Sequence, residues 1–138
     1  MAAIDAQLQR LVRTRAGDRC EYCLLPQSVR RFRFQIDHVQ PQQHGGPTTE
    51  SNLALCCGRC NRHKGPNLTG VDPVSGQLAR LDDPRSDRWP EHFHWDGPLL
   101  VGDTPTGRVT VYVLAMNHPD DLATRAELAT RGQWPPSP

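Results

Sequence analysis

Four cysteines in two Cys-x-x-Cys pairs have the spacing that most clearly predicts chemistry in this sequence. The first pair is Cys20 and Cys23, the second is Cys57 and Cys60, and 33 residues separate them. Each pair offers two sulfur ligands from one tight turn, and Zn²⁺ accepts four thiolates in a tetrahedral site. The pattern therefore predicts a structural zinc ion that clamps the intervening segment at both ends.

The fifth cysteine, Cys56, has no partner of its own at this spacing. Its neighbour Cys57 stands at the correct distance from Cys60, so Cys56 is predicted to be a small buried thiol. A redox dithiol is the alternative for a single Cys-x-x-Cys pair. Two such pairs in one chain favour zinc, and zinc quantitation per chain distinguishes the two interpretations.

Polar residues suited to proton transfer and metal binding lie between and directly after the two pairs. Asp37-His38 ends a predicted strand, Asn52 precedes a short apolar run, and Asn61 follows the second pair. A neutral imidazole accepts a proton near pH 7, and carboxylate or amide oxygens suit Mg²⁺. Taken singly, each residue is explained equally well by a surface ion pair or a turn. Their joint placement between the cysteine pairs indicates a site.

In this order the motifs resemble the HNH endonuclease family. The similar region runs from Cys20 to Gly65, about a third of the chain. It contains Cys-x-x-Cys, Ile-Asp-His-Val, Gly-Gly-x-Thr, Asn-Leu-Ala-Leu and Cys-x-x-Cys-Asn-x-x-Lys-Gly, in that order. Later segments are similar, with less specificity, to a compact free-standing subgroup of bacterial HNH proteins with four-cysteine zinc.

The resemblance implies a ββα-metal site that hydrolyses DNA phosphodiester bonds with one divalent ion, Mg²⁺ or Mn²⁺. It implies that His38 is the general base and that Asp37 and Asn61 hold this ion. Asn52 is expected to fix the following loop and His38 by hydrogen bonds. Many family members have His where this chain has Asn61, although an amide oxygen still ligates Mg²⁺. Basic residues after the second pair are expected to contact phosphate: Arg59, Arg62, His63 and Lys64.

The elements that must position these residues follow from hydrophobic periodicity. They are a helix over 4–16, a strand over 32–39, a loop over 40–51 and a two-turn helix that stops at Gly65-Pro66. Alternation places Phe32, Phe34 and Ile36 on one side of the strand. His38 falls on that side and Asp37 on the other. The strand must therefore end or bulge here if both are to reach one phosphate.

The remainder of the chain predicts a turn at 72–76, a hairpin around Asp96-Gly97 and a last helix over 119–131. Thr104-Pro105 opens a predicted helix, although the β-branched residues at 109–113 also suit a strand. The fold class is therefore α+β, a zinc-stapled ββα core with flanking helices and a C-terminal extension of hairpin and helix. We expect a single domain over 1–138, with its motif core at 18–66 and its extension at 67–134.

Composition limits the classes of function. Hydrophobic residues make up 36% of the chain, mean hydropathy is −0.63, and no apolar run is long enough for a membrane span. The first residues, 1–5, lack the layout of a secretory signal, so a cytoplasmic protein is expected. The formal net charge of +1 does not by itself predict nucleic-acid binding. Arginines are nevertheless concentrated near the start, at Arg10, Arg13, Arg15, Arg19, Arg30, Arg31 and Arg33.

Two classes of function therefore remain. The first is a DNA endonuclease, and the second is a non-catalytic zinc module that binds nucleic acid or a protein. The amide at Asn61 leaves room for the second class, since many family members have His at this position. DNA cleavage by the wild type but not by His38→Ala distinguishes them.

Overall fold

The structure is a computed structural model that describes residues 4–136, so residues 1–3 and 137–138 of the expected domain lie outside the described part. The chain divides into two compact units. The first runs up to Leu68 and includes Asp83–Ser86, and the second comprises Thr69–Asp82 and resumes at Asp87. The single domain over 1–138 stays a prediction.

The first helix, α1, spans Ala6–Ala16, as the periodicity predicted, with its start two residues later. Asp5 caps it, because its side chain accepts a hydrogen bond from Leu8 N at 2.8 Å. Gly17 ends it in the left-handed conformation, with φ of 62°, which glycine adopts without steric cost. Both ends of α1 are therefore set by local sequence.

The central sheet of the first unit has two antiparallel strands, β1 at Gln35–His38 and β2 at Leu53–Cys56. Asp37 lies opposite Ala54, and His38 lies opposite Leu53. The strand ends at His38, which satisfies the geometric requirement derived from the sequence.

The predicted start of this strand at residue 32 is wrong, because a side chain replaces the strand ladder there. The Gln27 amide accepts from Phe34 N at 2.6 Å and donates to Phe32 O at 3.0 Å. Phe34 is buried, whereas Phe32 is 82% exposed. The expectation that both rings share one face is therefore also wrong.

The second helix, α2, spans Gly58–Lys64 and follows β2 after a single residue, Cys57. Cys57 is its N-cap, and its sulfur accepts from Cys60 N at 3.5 Å. Gly65 ends the helix and Pro66 follows, as predicted. The helix is therefore tied at its start to the second cysteine pair.

The second unit contains two hairpins and three helices among its described residues. Its elements, in chain order, are β3 at Thr69–Val71, β4 at Leu78–Arg80, α3 at Trp89–His92, β5 at Phe93–Asp96, β6 at Leu99–Gly102, α4 at Pro105–Val113 and α5 at Pro119–Thr130. The short α3 was not predicted, whereas the β5–β6 hairpin and α5 were. For the β3–β4 hairpin, only the turn at 72–76 was predicted.

The helix α4 settles the ambiguity of its β-branched sequence. Thr104 caps it by accepting from Gly107 N at 3.0 Å, and Pro105 occupies its first turn. Val109 and Thr110 are buried, so packing outweighs the strand preference of these residues.

A buried ion pair joins the turn after β3 to α4. The Asp72 carboxylate accepts from Arg108 Nε and from a terminal guanidinium nitrogen, each at 2.9 Å. The hydrogen bonds from Arg108 hold the pKa of Asp72 well below its usual range, against the opposing effect of burial. Within 4–136, no helix has the length and apolar character needed to cross a bilayer. The α+β class, with small sheets and helices, is confirmed.

Candidate functional site: a thiolate cluster and a polar site on the ββα core

The two predicted cysteine pairs meet in one buried cluster. The sulfurs of Cys20, Cys23, Cys57 and Cys60 all lie within 4.8 Å of one another. Cys23 Sγ and Cys57 Sγ are 3.8 Å apart. Zn–S bonds of about 2.3 Å in a tetrahedron separate sulfurs by about 3.8 Å, so the cluster fits a zinc ion without rearrangement.

Backbone pairing explains why the first cysteine turn lies against the second. Glu21 N donates to Leu55 O, and Leu55 N donates to Glu21 Oε2, each at 2.9 Å. Since β2 leads directly into Cys57, this pairing places both turns at the same end of the sheet. Within each pair, the backbone N–H of Cys23 or Cys60 points at the sulfur three residues earlier, at 3.5 Å.

Cys56 is a buried free thiol, as predicted, and is not part of the four-sulfur cluster. Burial raises the pKa of Cys56, and the thiol of neighbouring Cys20 acts in the same direction. The four sulfurs that lie within 4.8 Å of one another do not include that of Cys56. The cluster therefore offers four ligands rather than five.

Asp37 is a buried carboxylate with one oxygen already engaged. Its Oδ2 accepts from the Tyr22 hydroxyl at 2.8 Å and lies 3.1 Å from Lys64 Nζ. Burial raises the pKa of Asp37, while the Lys64 ammonium and the Tyr22 hydroxyl oppose that rise. No described residue donates a hydrogen bond to Oδ1. One oxygen is therefore fixed, and the other is open to a cation.

Lys64, the only lysine of the chain, differs from its expected role. It is 1% exposed, and its ammonium also donates to His38 O at 3.2 Å and to Val39 O at 3.0 Å. These two carbonyls and the Asp37 carboxylate take up all three N–H donors of the ammonium. Contact with DNA phosphate is replaced by a positioning role, because α2 lies against the end of β1.

His38 is half-buried at the last position of β1, and its Nε2 lies 2.9 Å from Thr48 Oγ1. The same hydroxyl accepts from Gln42 Nε2 at 3.4 Å. The imidazole is close enough to Asp37 to act on the pKa of that carboxyl, which it lowers. His38 and Asp37 thus lie in one electrostatic environment although they are successive residues of a strand.

Asn52 fastens the loop that carries Thr48. Its amide nitrogen donates to Pro47 O at 2.8 Å and to Gln40 O at 3.0 Å, and its oxygen accepts from Gln40 N at 2.9 Å. Within residues 4–136, no hydrogen bond joins the Asn52 side chain to His38, contrary to expectation. The connection between them runs through the loop and Thr48.

Gly46 is required for this loop to close. A Cβ atom at this position would lie 1.7 Å from Gln40 O, inside any possible contact distance. The geometry shows a close approach between two segments of backbone.

Asn61 lies on the face of α2 that covers β1. Its amide nitrogen donates to Gln35 Oε1, and its oxygen is engaged by none of the described residues. Gln35 and Asp37 share one face of β1, about 7 Å apart. Asn61 and Lys64 are three residues apart on α2, which places them on one helical face. The helix therefore brings the Asn61 amide and the Asp37 carboxylate to the same face of the sheet.

The remaining basic residues of α2 point elsewhere. Arg62 and His63 are exposed, and Arg59 is half-buried. His63 stands two residues after Asn61, which places it about 200° around the helix. It does not share the Asn61–Lys64 face.

Three residues of the site were missed by sequence reasoning: Tyr22, Gln35 and Thr48. Tyr22 lies inside the first cysteine turn, where an aromatic residue is usually interpreted as part of the hydrophobic core. Thr48 could have been found, because it is the last residue of the Gly-Gly-x-Thr segment. Gln35 could have been found as the residue on the same strand face as Asp37.

Residues 20–67 match the family model described as HNH endonuclease. This region includes both cysteine pairs, β1, β2 and α2. This part of the chain is therefore similar to the HNH endonuclease family, as its motifs predicted. No curated protein and no solved structure significantly matches the chain.

Proposed function

We propose that this protein is a metal-dependent endonuclease that hydrolyses phosphodiester bonds of DNA. The observation that carries the proposal is the Asp37 carboxylate, which is held through Oδ2 and directly followed by His38, inside the region that matches the HNH endonuclease model. Perturbed titratable groups next to a histidine are typical of active sites.

In this proposal His38 is the general base. We assign the tautomer in which Nε2–H donates to Thr48 Oγ1, 2.9 Å away. This leaves the lone pair of Nδ1 to accept a proton from the attacking water. The water oxygen forms the new bond to phosphorus, and the bond to the 3′ oxygen breaks in line with it. The products are a 5′-phosphate and a 3′-hydroxyl.

Asp37 Oδ1 and the Asn61 amide oxygen are the proposed ligands of Mg²⁺ or Mn²⁺. Both are hard oxygen donors, which this class of ion prefers to nitrogen or sulfur. When bound, the ion supplies charge stabilisation at the scissile phosphate and the leaving oxygen. Lys64 and Tyr22 keep the Asp37 carboxylate oriented by holding its other oxygen.

The four cysteines are proposed to hold a structural zinc ion. They join the first cysteine turn, which carries Tyr22, to the start of α2, which carries Asn61. Bound zinc would therefore fix both elements that supply the polar site, the first cysteine turn and α2. We propose that its removal disorders the site rather than a remote part of the chain.

Binding to DNA is proposed to depend on phosphate contacts from exposed basic residues of α2, Arg62 and His63, with Arg59 at its start. Such contacts are tolerant of sequence and weaken strongly with salt.

Nicking of supercoiled plasmid tests the proposal. Zinc-loaded protein is incubated with plasmid, with and without added Mg²⁺ or Mn²⁺, and the product ends are analysed by ligation. We expect divalent-dependent nicks that a ligase reseals, because they carry 5′-phosphates. Salt-sensitive DNA binding without any nicking would instead establish the non-catalytic zinc module.

A further inference from the structure

Phe32 is the most exposed of the large hydrophobic residues that the structure describes, at 82%. A single exposed apolar residue needs no explanation by itself. Phe32 differs in two respects. Hydrogen bonds from Gln27 fix the loop that carries it, and arginines flank it along the chain.

The loop that carries Phe32 is fixed rather than loose. The Gln27 side chain donates to the carbonyls of Arg30 and Phe32, at 3.5 and 3.0 Å, and accepts from Phe34 N at 2.6 Å. The ring of Phe34, two residues on, is buried at 2% exposure. One ring therefore anchors the loop while the other projects into solvent.

The charges nearest to Phe32 along the chain are of one sign. Arg31 and Arg33 flank it directly, and residues 22–36 contain no acidic residue. Burial lowers the pKa of Arg13 in α1, and the charge of Arg33 lowers it further, while Asp18 opposes the shift. This basic segment would attract an anionic partner.

We propose that Phe32 is a stacking platform for an unpaired base of the DNA substrate, with the flanking arginines on the adjoining phosphates. This inference rests on the proposed function, since it assumes that DNA is the substrate. An aromatic ring set among arginines matches the chemistry of single-stranded nucleic acid, which offers exposed π faces and phosphates together. A paired duplex hides these faces, so the contact selects bases that are unstacked or frayed.

The short stretch of chain between Phe32 and His38 limits the distance between the stacked base and the cleaved phosphate. Five residues lie between Phe32 and His38, so their Cα atoms are six residue steps and at most about 20 Å apart. At 3.4 Å per nucleotide along a strand, the stacked base lies within roughly six nucleotides of the cleaved phosphate. Unpaired DNA near the cut is therefore the substrate feature that this surface would recognise.

Fluorescence anisotropy with two labelled single strands tests the inference, without added Mg²⁺ or Mn²⁺ so that nothing is cut. One probe is oligothymidine, and the other is an abasic strand of the same length and phosphate charge. We expect Phe32→Ala to weaken oligothymidine binding by about 5- to 150-fold, the loss typical of one stacked base. Binding of the abasic strand should not change.

Three further variants make the result specific. Phe32→Trp should retain binding of oligothymidine, while Phe32→Leu, which keeps apolar volume but lacks a π face, should not. Tyr112→Ala removes a comparably exposed aromatic residue, 70% exposed, from the second unit and should bind as wild type. Unchanged binding by Phe32→Ala would overturn the inference and indicate a protein-facing residue. Equal loss on both strands, or full binding by Phe32→Leu, would also overturn it.

The outcome is separable from that of the proposed function. Plasmid nicking by the wild type together with full oligothymidine binding by Phe32→Ala would reject only the stacking role. Binding of oligothymidine that depends on Phe32, in a protein that never nicks plasmid, would reject only the nuclease.

Discussion

Lys64 Nζ lies 3.1 Å from Asp37 Oδ2, and both side chains are shielded from solvent. The pair joins the end of α2 to the end of β1, across 26 intervening residues. A buried ion pair is not by itself evidence of stability, because desolvation offsets much of the attraction. Its consequence here is geometric: it fixes the carboxylate that the proposed mechanism needs.

Lys64→Met should destabilise the protein by about 3–5 kcal/mol, since it leaves a buried carboxylate without its partner. Urea denaturation with intact zinc measures the free energy of unfolding. Arg62→Met is the matched control, because Arg62 is the exposed neighbour on the same helix, and it should change stability by less than about 0.5 kcal/mol. Equal stability of the two variants would mean that the buried pair is not formed in solution.

Cys57→Ser should abolish both zinc binding and the folded polar site, whereas Cys56→Ser should keep one zinc per chain. Cys57 contributes a sulfur to the cluster and caps α2, while Cys56 is a buried thiol outside the cluster. Metal analysis of the purified variants gives the stoichiometry. Loss of zinc from the Cys56 variant alone would show that the ligand set has been misassigned.

Gly46→Ala should reduce cleavage on the order of 100-fold, because its Cβ would push the loop away from Gln40 and carry Thr48 off His38. Gly45→Ala is the control: it has a φ of 82° but open space around it. We expect it to cost about 1–2 kcal/mol of stability and little activity. Rates are compared at saturating divalent ion, with zinc content matched. Similar rates for the two variants would contradict the positioning role of Thr48.

The stability that Asp72 contributes should depend on pH. Arg108 lowers the pKa of Asp72 in the fold, so the unfolded chain binds its proton more tightly than the native protein does. The contribution is therefore complete above about pH 4, the ordinary range of aspartate, and declines as the pH falls below it. Urea unfolding of wild type and Asp72→Asn at several pH values measures the difference. That difference should shrink toward low pH; a constant difference would contradict the lowered pKa.

Sequence reasoning succeeded where the determinant is local. The cysteine pairs, the Thr104 cap and the Gly65 stop each act within a few residues. It failed where a residue distant in sequence determines the conformation. A lysine is expected in solvent because burial of its charge requires a partner, and the partner of Lys64 lies on another element. The prediction that the strand starts at residue 32 was wrong for the same reason, since the Gln27 side chain takes the place of a neighbouring strand there.

The site as a whole could be anticipated because its motif residues stand in a fixed order, but not its internal contacts. Nothing in the sequence indicated that Tyr22 would share Asp37 with Lys64. The roles of His38, Asn52, Asn61 and Asp37 remain proposals that the geometry supports.

Cleavage of supercoiled plasmid by His38→Ala and His94→Ala, at equal zinc content, tests the central claim most directly. Both variants remove one imidazole, but His38 directly follows Asp37 and acts on its pKa, while His94 is an exposed residue of β5 in the second unit. The account predicts that His38→Ala cleaves at least about 100-fold more slowly than wild type, and that His94→Ala retains most of the activity. Cleavage by His38→Ala at the wild-type rate would contradict it.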